Sequence, residues 1–117
     1  MSNVTIWHNP RCSKSRQTLQ LLRDRGVEPI IVEYLKTPPS EAELTHALAD
    51  LGMKPRELMR KKEAPYQELG LGDDARTEAE LVAAMASHPV LIERPVVFVE
   101  GRAVIGRPPE NVLSLLG

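Results

Sequence analysis

A chain of 117 residues, 42% of them hydrophobic, is long enough for one compact core and too short for two ordinary ones, so a single domain over 1–117 is expected. Fifteen Lys and Arg against 16 Asp and Glu leave a net charge of −1, which argues against general nucleic-acid binding, and no apolar run approaches the length of a membrane span. One cysteine, Cys12, allows no intrachain disulfide, and the start Met-Ser-Asn-Val lacks the basic and then apolar pattern of a secretory signal, so cytoplasmic residence is the expectation.

Residues 4–7 read as a short buried strand. Residues 13–25 carry Leu19, Leu21 and Leu22 before Gly26, the pattern of a helix with its stop signal. Residues 30–34 read as a second strand, which completes a βαβ unit and predicts two parallel strands. The run Thr37-Pro38-Pro39-Ser40 breaks the pattern, and Ser40-Glu41-Ala42-Glu43 is a capping box that opens a helix running to Leu51 and Gly52. Residues 55–62 read as a further helix and 64–74 as turns. A second capping box, Thr77-Glu78-Ala79-Glu80, opens a helix that carries Leu81, Val82 and Met85 and ends before His88-Pro89. A helical insert at about 38–90 is the result. After it, residues 96–99 and 102–105 flank Glu100-Gly101 as a hairpin, and a last helix is expected near Pro108-Pro109, with Val112, Leu113, Leu115 and Leu116 on its buried side. The order βαβ, helical insert, ββα predicts an α/β fold with a four-stranded mixed sheet and helices packed on it.

Cys12 lies in His8-Asn9-Pro10-Arg11-Cys12-Ser13-Lys14-Ser15-Arg16, between the first strand and the first helix. Unpaired N–H groups at a helix start favour anions, and Arg11, Lys14 and Arg16 are close in sequence, so the thiol is expected to ionise below its ordinary range and act as a nucleophile in a pocket for an oxyanion. A buried structural cysteine is the alternative, but it has no need of three cations beside it. His8 either lowers the thiol's pKa when charged or closes the strand end. Ser15 either donates a hydrogen bond to the thiolate or serves as an ordinary first-turn serine. His46 and His88 have no ligand spacing, and no metal is predicted.

A βαβ plus ββα order with a cysteine at the first strand-to-helix turn looks like the thioredoxin fold, whose redox members usually carry Cys-x-x-Cys there. Ser15 occupies the second position, so any redox cycle must be resolved by an outside thiol. The motif His8-x-x-x-Cys12-x-x-x-Arg16 resembles the active site of glutaredoxin-linked arsenate reductases. Similar stretches follow in the same order: Arg60 in Leu58-Met59-Arg60-Lys61-Lys62, then residues 65–71, then His88-Pro89-Val90-Leu91-Ile92-Glu93-Arg94-Pro95-Val96-Val97, and Gly106-Arg107-Pro108. Essentially the whole chain is covered.

The resemblance implies a catalytic set of Cys12, His8, Ser15 and Arg16, and an oxyanion held by Arg60, Arg94 and Arg107. It also implies arsenate as substrate, glutathione as co-substrate, glutaredoxin as partner and no bound cofactor. Taken alone, Arg60 reads as part of a solvated basic helix face with Arg56, Lys61 and Lys62, Arg94 as a residue of a structural turn, and Arg107 as a surface residue at the entry to the last helix. Proteins with this fold often have a cis-proline just before the third strand, so Arg94-Pro95 is expected to be cis. Tyrosine phosphatases of low molecular weight use Cys-x5-Arg, and Thr18 stands where that arginine would be. Two competing readings are an Spx-like transcription regulator, whose usual Cys-x-x-Cys is absent here, and a glutathione-dependent reductase of another substrate.

Overall fold

The computed structural model describes residues 3–116. In chain order its elements are β1 (Val4–Trp7), α1 (Ser13–Asp24), β2 (Ile30–Val32), α2 (Glu41–Leu51), α3 (Pro55–Leu58), α4 (Ala64–Glu68), α5 (Glu78–Ser87), a 3-10 turn (Pro89–Leu91), β3 (Val96–Val99), β4 (Arg102–Ile105), a second 3-10 turn (Pro109–Val112) and α6 (Leu113–Leu116). They fall into two compact units, one of Met1–Thr37 with Arg94–Gly117 and one of Pro38–Glu93.

The first unit holds the sheet, in the order β2-β1-β3-β4. β1 and β2 are parallel, and the other two pairings are antiparallel. This is the four-stranded mixed sheet expected of a thioredoxin-like fold. Val4 and Ile6 of β1 and Val97 and Val99 of β3 pack with Leu19 and Leu22 of α1 and with Val112 and Leu115 of the C-terminal segment. Burying an aliphatic side chain of this size contributes about 1.5–3 kcal/mol, so this layer fixes α1 on the sheet. The hairpin between β3 and β4 turns at Glu100 and Gly101, whose φ angles of 41° and 77° match the handedness that twisted strands require of a two-residue turn.

Register decides what gathers at one end of this sheet. Trp7 pairs with Val96, and Val96 in turn pairs with Ile105. The end of β1, the start of β3 and the end of β4 therefore lie side by side. The loop after β1 carries Cys12, the segment before β3 carries Arg94-Pro95, and the segment after β4 carries Gly106-Arg107. Three stretches far apart in sequence meet because the register leaves them no other place.

The second unit is helical. Both expected capping boxes are formed, with the Ser40 and Thr77 hydroxyls accepting from the N–H groups of Glu43 and Glu80 while those two carboxylates return to the cap N–H groups. Leu44, Ala47 and Leu48 of α2 and Leu81, Val82 and Met85 of α5 are buried, and α5 packs against α2, α3 and the turn at Pro89–Leu91.

Four boundaries differ from expectation. β2 ends at Val32 rather than at residue 34, because the carbonyl of Glu33 accepts from the N–H groups of Lys36 and Thr37 and bends the chain. α3 stops at Leu58 rather than near 62, because Met59 turns extended and bridges to Ile92. α4 forms inside the segment expected to be turns, with Pro65 in its first turn. The final helix starts at Leu113, after a 3-10 turn, with Val112 and Leu115 buried and Leu113 and Leu116 only partly so. Among the described residues no helix is long and apolar enough to cross a membrane.

Candidate active site

Cys12 is the N-cap residue of α1, with extended φ and ψ of −95° and 124°. The loop before it is locked by short-range bonds: the Cys12 N–H donates to Asn9 O at 3.0 Å, and the Arg11 N–H donates to Asn9 Oδ1 at 3.0 Å. Cys12 O accepts the first helical bond, from the Arg16 N–H at 3.0 Å. This leaves the side chain facing the amides of the first helical turn, where an N-cap oxygen ordinarily sits. The residue is 9% exposed.

Burial raises the Cys12 pKa, but opposing influences outweigh it and the net direction is down. The Ser15 N–H favours the thiolate, followed by the charge of Arg94, the Lys14 N–H and a hydrogen bond from the Arg94 side chain. Arg107 adds a contact, with Nη1 3.9 Å from Sγ and 3.4 Å from Arg94 O. The thiolate thus meets a helix start on one side and two guanidinium groups on the other. The expected cationic influence of Arg11, Lys14 and Arg16 is corrected: distant Arg94 supplies the charge, whereas Lys14 contributes through its backbone N–H. Arg16 donates from Nη1 to Pro10 O at 2.9 Å, which braces the loop.

His8 and Ser15 form a buried pair beneath the loop. His8 Nδ1 lies 2.7 Å from Ser15 Oγ, which also accepts the Asn9 N–H at 3.0 Å. Burial pushes the His8 pKa down, Glu33 pulls it up, and Arg23 and Arg16 lower it further. On balance these influences favour the neutral imidazole, and His8 is not among the groups that lower the Cys12 pKa. Of the two readings of Ser15, neither describes its hydroxyl, which is occupied by His8 and Asn9; its backbone N–H is the group that favours the thiolate.

The structure brings Cys12, Arg94 and Arg107 together, and it sets His8 and Ser15 behind the loop. The Arg94-Pro95 bond is cis, as expected, and so is Arg107-Pro108, which the sequence did not announce. Arg60 belongs to the helical unit. There its N–H donates to Leu91 O at 2.7 Å, and its side chain, 26% exposed, pairs with Glu63 at 2.9 Å and Glu93 at 4.0 Å. The solvated helix face expected for it is corrected, since it follows α3 and has carboxylate partners. Among the described residues no three His, Cys, Asp or Glu side chains group to hold a metal ion.

Comparison with known proteins places the chain that carries this site. A model of the ArsC family matches residues 7–115. The chain belongs to the ArsC family. Among ArsC relatives, the uncharacterized protein YfgD of Escherichia coli K12 is 55% identical over 115 residues, which cover 97% of each chain. An arsenate reductase of Rhizobium meliloti is 50% identical over 113 residues, covering 97% of this chain and 81% of its own. The solved arsenate reductase of Vibrio cholerae superposes with a TM-score of 0.95 at 51% identity, covering 97% of both chains.

The helix-start amides expected to favour the thiolate are those of Ser15 and Lys14. One feature of this ArsC site has almost no signal in the sequence, the packed contact of Thr18 with Gly106. Its only sequence signal is a glycine directly before Arg107.

Proposed function

We propose that the protein reduces arsenate to arsenite, with Cys12 as nucleophile. The observation that supports this most is the placement of Arg107 Nη1 at 3.9 Å from Cys12 Sγ, together with the Arg94 charge that favours the thiolate. A guanidinium is permanently charged and planar, and it can grip two oxygens of a tetrahedral oxyanion at once. Arg60 is assigned to the same oxyanion by the family resemblance, and not by geometry.

In the proposed cycle the Cys12 thiolate attacks arsenic(V) and displaces one oxygen, which leaves as water after protonation. Arsenic(III) requires two electrons, and a single cysteine cannot supply them by closing a disulfide within the chain. Glutathione adds to the arsenic adduct, and glutaredoxin then resolves the glutathione-bearing intermediate. Two thiols end as one disulfide, arsenic gains two electrons, and Cys12 is returned as arsenite departs. No resident cofactor is needed for this balance.

The test is protection of Cys12 from alkylation by iodoacetamide. Arsenate is expected to slow alkylation of the parent protein in a saturable manner. Arg94→Lys and Arg107→Lys keep the charge but lose the planar fork, and each should weaken protection by roughly tenfold, the effect of a charge-assisted hydrogen bond. Phosphate run in parallel reports how far the site separates the two oxyanions. Alkylation indifferent to arsenate in the parent would contradict the assignment.

A further inference from the structure

Thr18 lies in α1, six residues beyond Cys12, and is fully buried at 0% exposure. Its hydroxyl is shared between two carbonyls, Lys14 O at 2.8 Å and Gly106 O at 3.2 Å. The first is the ordinary back-bond of a helical threonine. The second is a tie between α1 and the segment after β4, 88 residues away.

Gly106 is held on its other faces as well. Its N–H donates to Pro95 O at 2.9 Å. A Cβ built on Gly106 would stand 2.7 Å from Thr18 Oγ1, 2.9 Å from Thr18 Cγ2 and 3.0 Å from Pro95 Cγ. The two contacts with Thr18 are shorter than real Cβ atoms make and the one with Pro95 is at the tight end of those they do, so a larger residue enters only if Thr18 shifts and Pro95 gives. Each member adjoins a part of the site: Pro95 follows Arg94, Gly106 precedes Arg107, and Thr18 belongs to the helix whose N-cap is Cys12.

We propose that Thr18 is a positioning residue which, by its tie to Gly106 and the close stacking of Gly106 on Pro95, sets the distance of the Arg94 and Arg107 guanidinium groups from Cys12. Both arginines reach the thiol on long side chains, whose tips wander unless their backbones are fixed. Register brings the β3 and β4 ends near the loop but leaves the last ångström open, and the Thr18–Gly106–Pro95 stack closes it. Misplacement by about 1 Å is enough to lose much of a positioned group's effect. Threonine here replaces, in chain position, the arginine that a Cys-x5-Arg loop would use, and the arginines come from outside the loop instead.

This inference rests on the arsenate reading only for its substrate readout, and the thiol readout is independent of it. The experiment compares the parent with Thr18→Ser, Thr18→Val and Gly106→Ala, titrating Cys12 by the pH dependence of its alkylation and measuring the KM and kcat for arsenate with glutathione and glutaredoxin present. Thr18→Ser keeps the hydroxyl and should titrate like the parent. Thr18→Val keeps the shape and loses the tie, so the alkylation midpoint should move upward while KM rises by roughly threefold to tenfold, the effect of one buried hydrogen bond, with kcat less affected. Gly106→Ala should shift both in the same direction and further. Should Gly106→Ala fail to fold, the Ser and Val pair decides alone. Folded Thr18→Val with the parent's alkylation midpoint would overturn the proposal, as would a Thr18→Ser variant displaced as far as Thr18→Val. If no variant, nor the parent, turns over arsenate, a shifted midpoint in Thr18→Val still supports the positioning role while the arsenate reading fails.

Discussion

Cys12 gains its character from groups that exist around it only in the folded chain, and linkage turns this into a pH effect. Its folded pKa lies below the ordinary 9.0. The stabilisation this gives is complete above the unfolded value and is lost as pH falls through the lowered folded value. Parent and Cys12→Ser unfolding curves should therefore diverge in the parent's favour as pH rises toward 9.0 and approach a constant offset in acid. Serine is itself a favoured N-cap, so the slope against pH is diagnostic and the sign of the offset is not. A difference flat in pH would contradict a thiolate stabilised by the fold. His8 has the same sign in a lower pH window: its depressed pKa means that protonation costs the folded state more than the unfolded one, and stability should decline as pH falls below the ordinary 6.5. Ser15→Ala removes the hydroxyl partner of both His8 Nδ1 and the Asn9 N–H. A loss of about 1–3 kcal/mol in denaturant unfolding is predicted, the penalty of a buried group left unsatisfied. A loss smaller than about 0.5 kcal/mol would show that the pair contributes less than an ordinary hydrogen bond.

At the scale of elements, local signals in the sequence were read well where the element is decided locally. The capping boxes at Ser40 and Thr77 state their helices in four residues each, and the Glu100-Gly101 turn states its hairpin. Ser40→Ala and Thr77→Ala should each cost about 1 kcal/mol in stability, seen as a lowered Tm, with no change in the alkylation of Cys12. A change in Cys12 reactivity from either substitution would mean that these helices do more than support their own unit. Elements decided from a distance were read poorly. α3 ends at Leu58 because Met59 finds a bridging partner in Ile92, more than thirty residues on, and α4 has no buried residue to mark a helical face. The thiolate's surroundings follow the same division. Cys12 at a helix start is visible in the sequence, whereas the charge that counts comes from Arg94, and the contact at 3.9 Å from Arg107, both brought there through strand register. Arg11, Lys14 and Arg16 looked nearer only because sequence distance is a poor guide once the chain has folded.

For the molecule as a whole, the register of one small sheet gathers the reactive loop, Arg94 and Arg107 at a single end, and the family resemblance named those residues before geometry could. What no local pattern supplied was the mechanism of their alignment, since the Thr18–Gly106 contact joins positions 88 residues apart. One thiol per chain also sets what the proposed cycle needs: its electrons are to arrive from thiols outside the chain. The measurement that tests this account most directly is arsenite formation from arsenate, followed by arsenic speciation, with glutathione and glutaredoxin supplied and the protein as the variable. The account predicts arsenite from the parent protein, none above background from Cys12→Ser, and a collapse of turnover when glutaredoxin is omitted. Arsenite formed equally well by Cys12→Ser, or none formed by a folded parent whose Cys12 is alkylated readily at neutral pH, would contradict it.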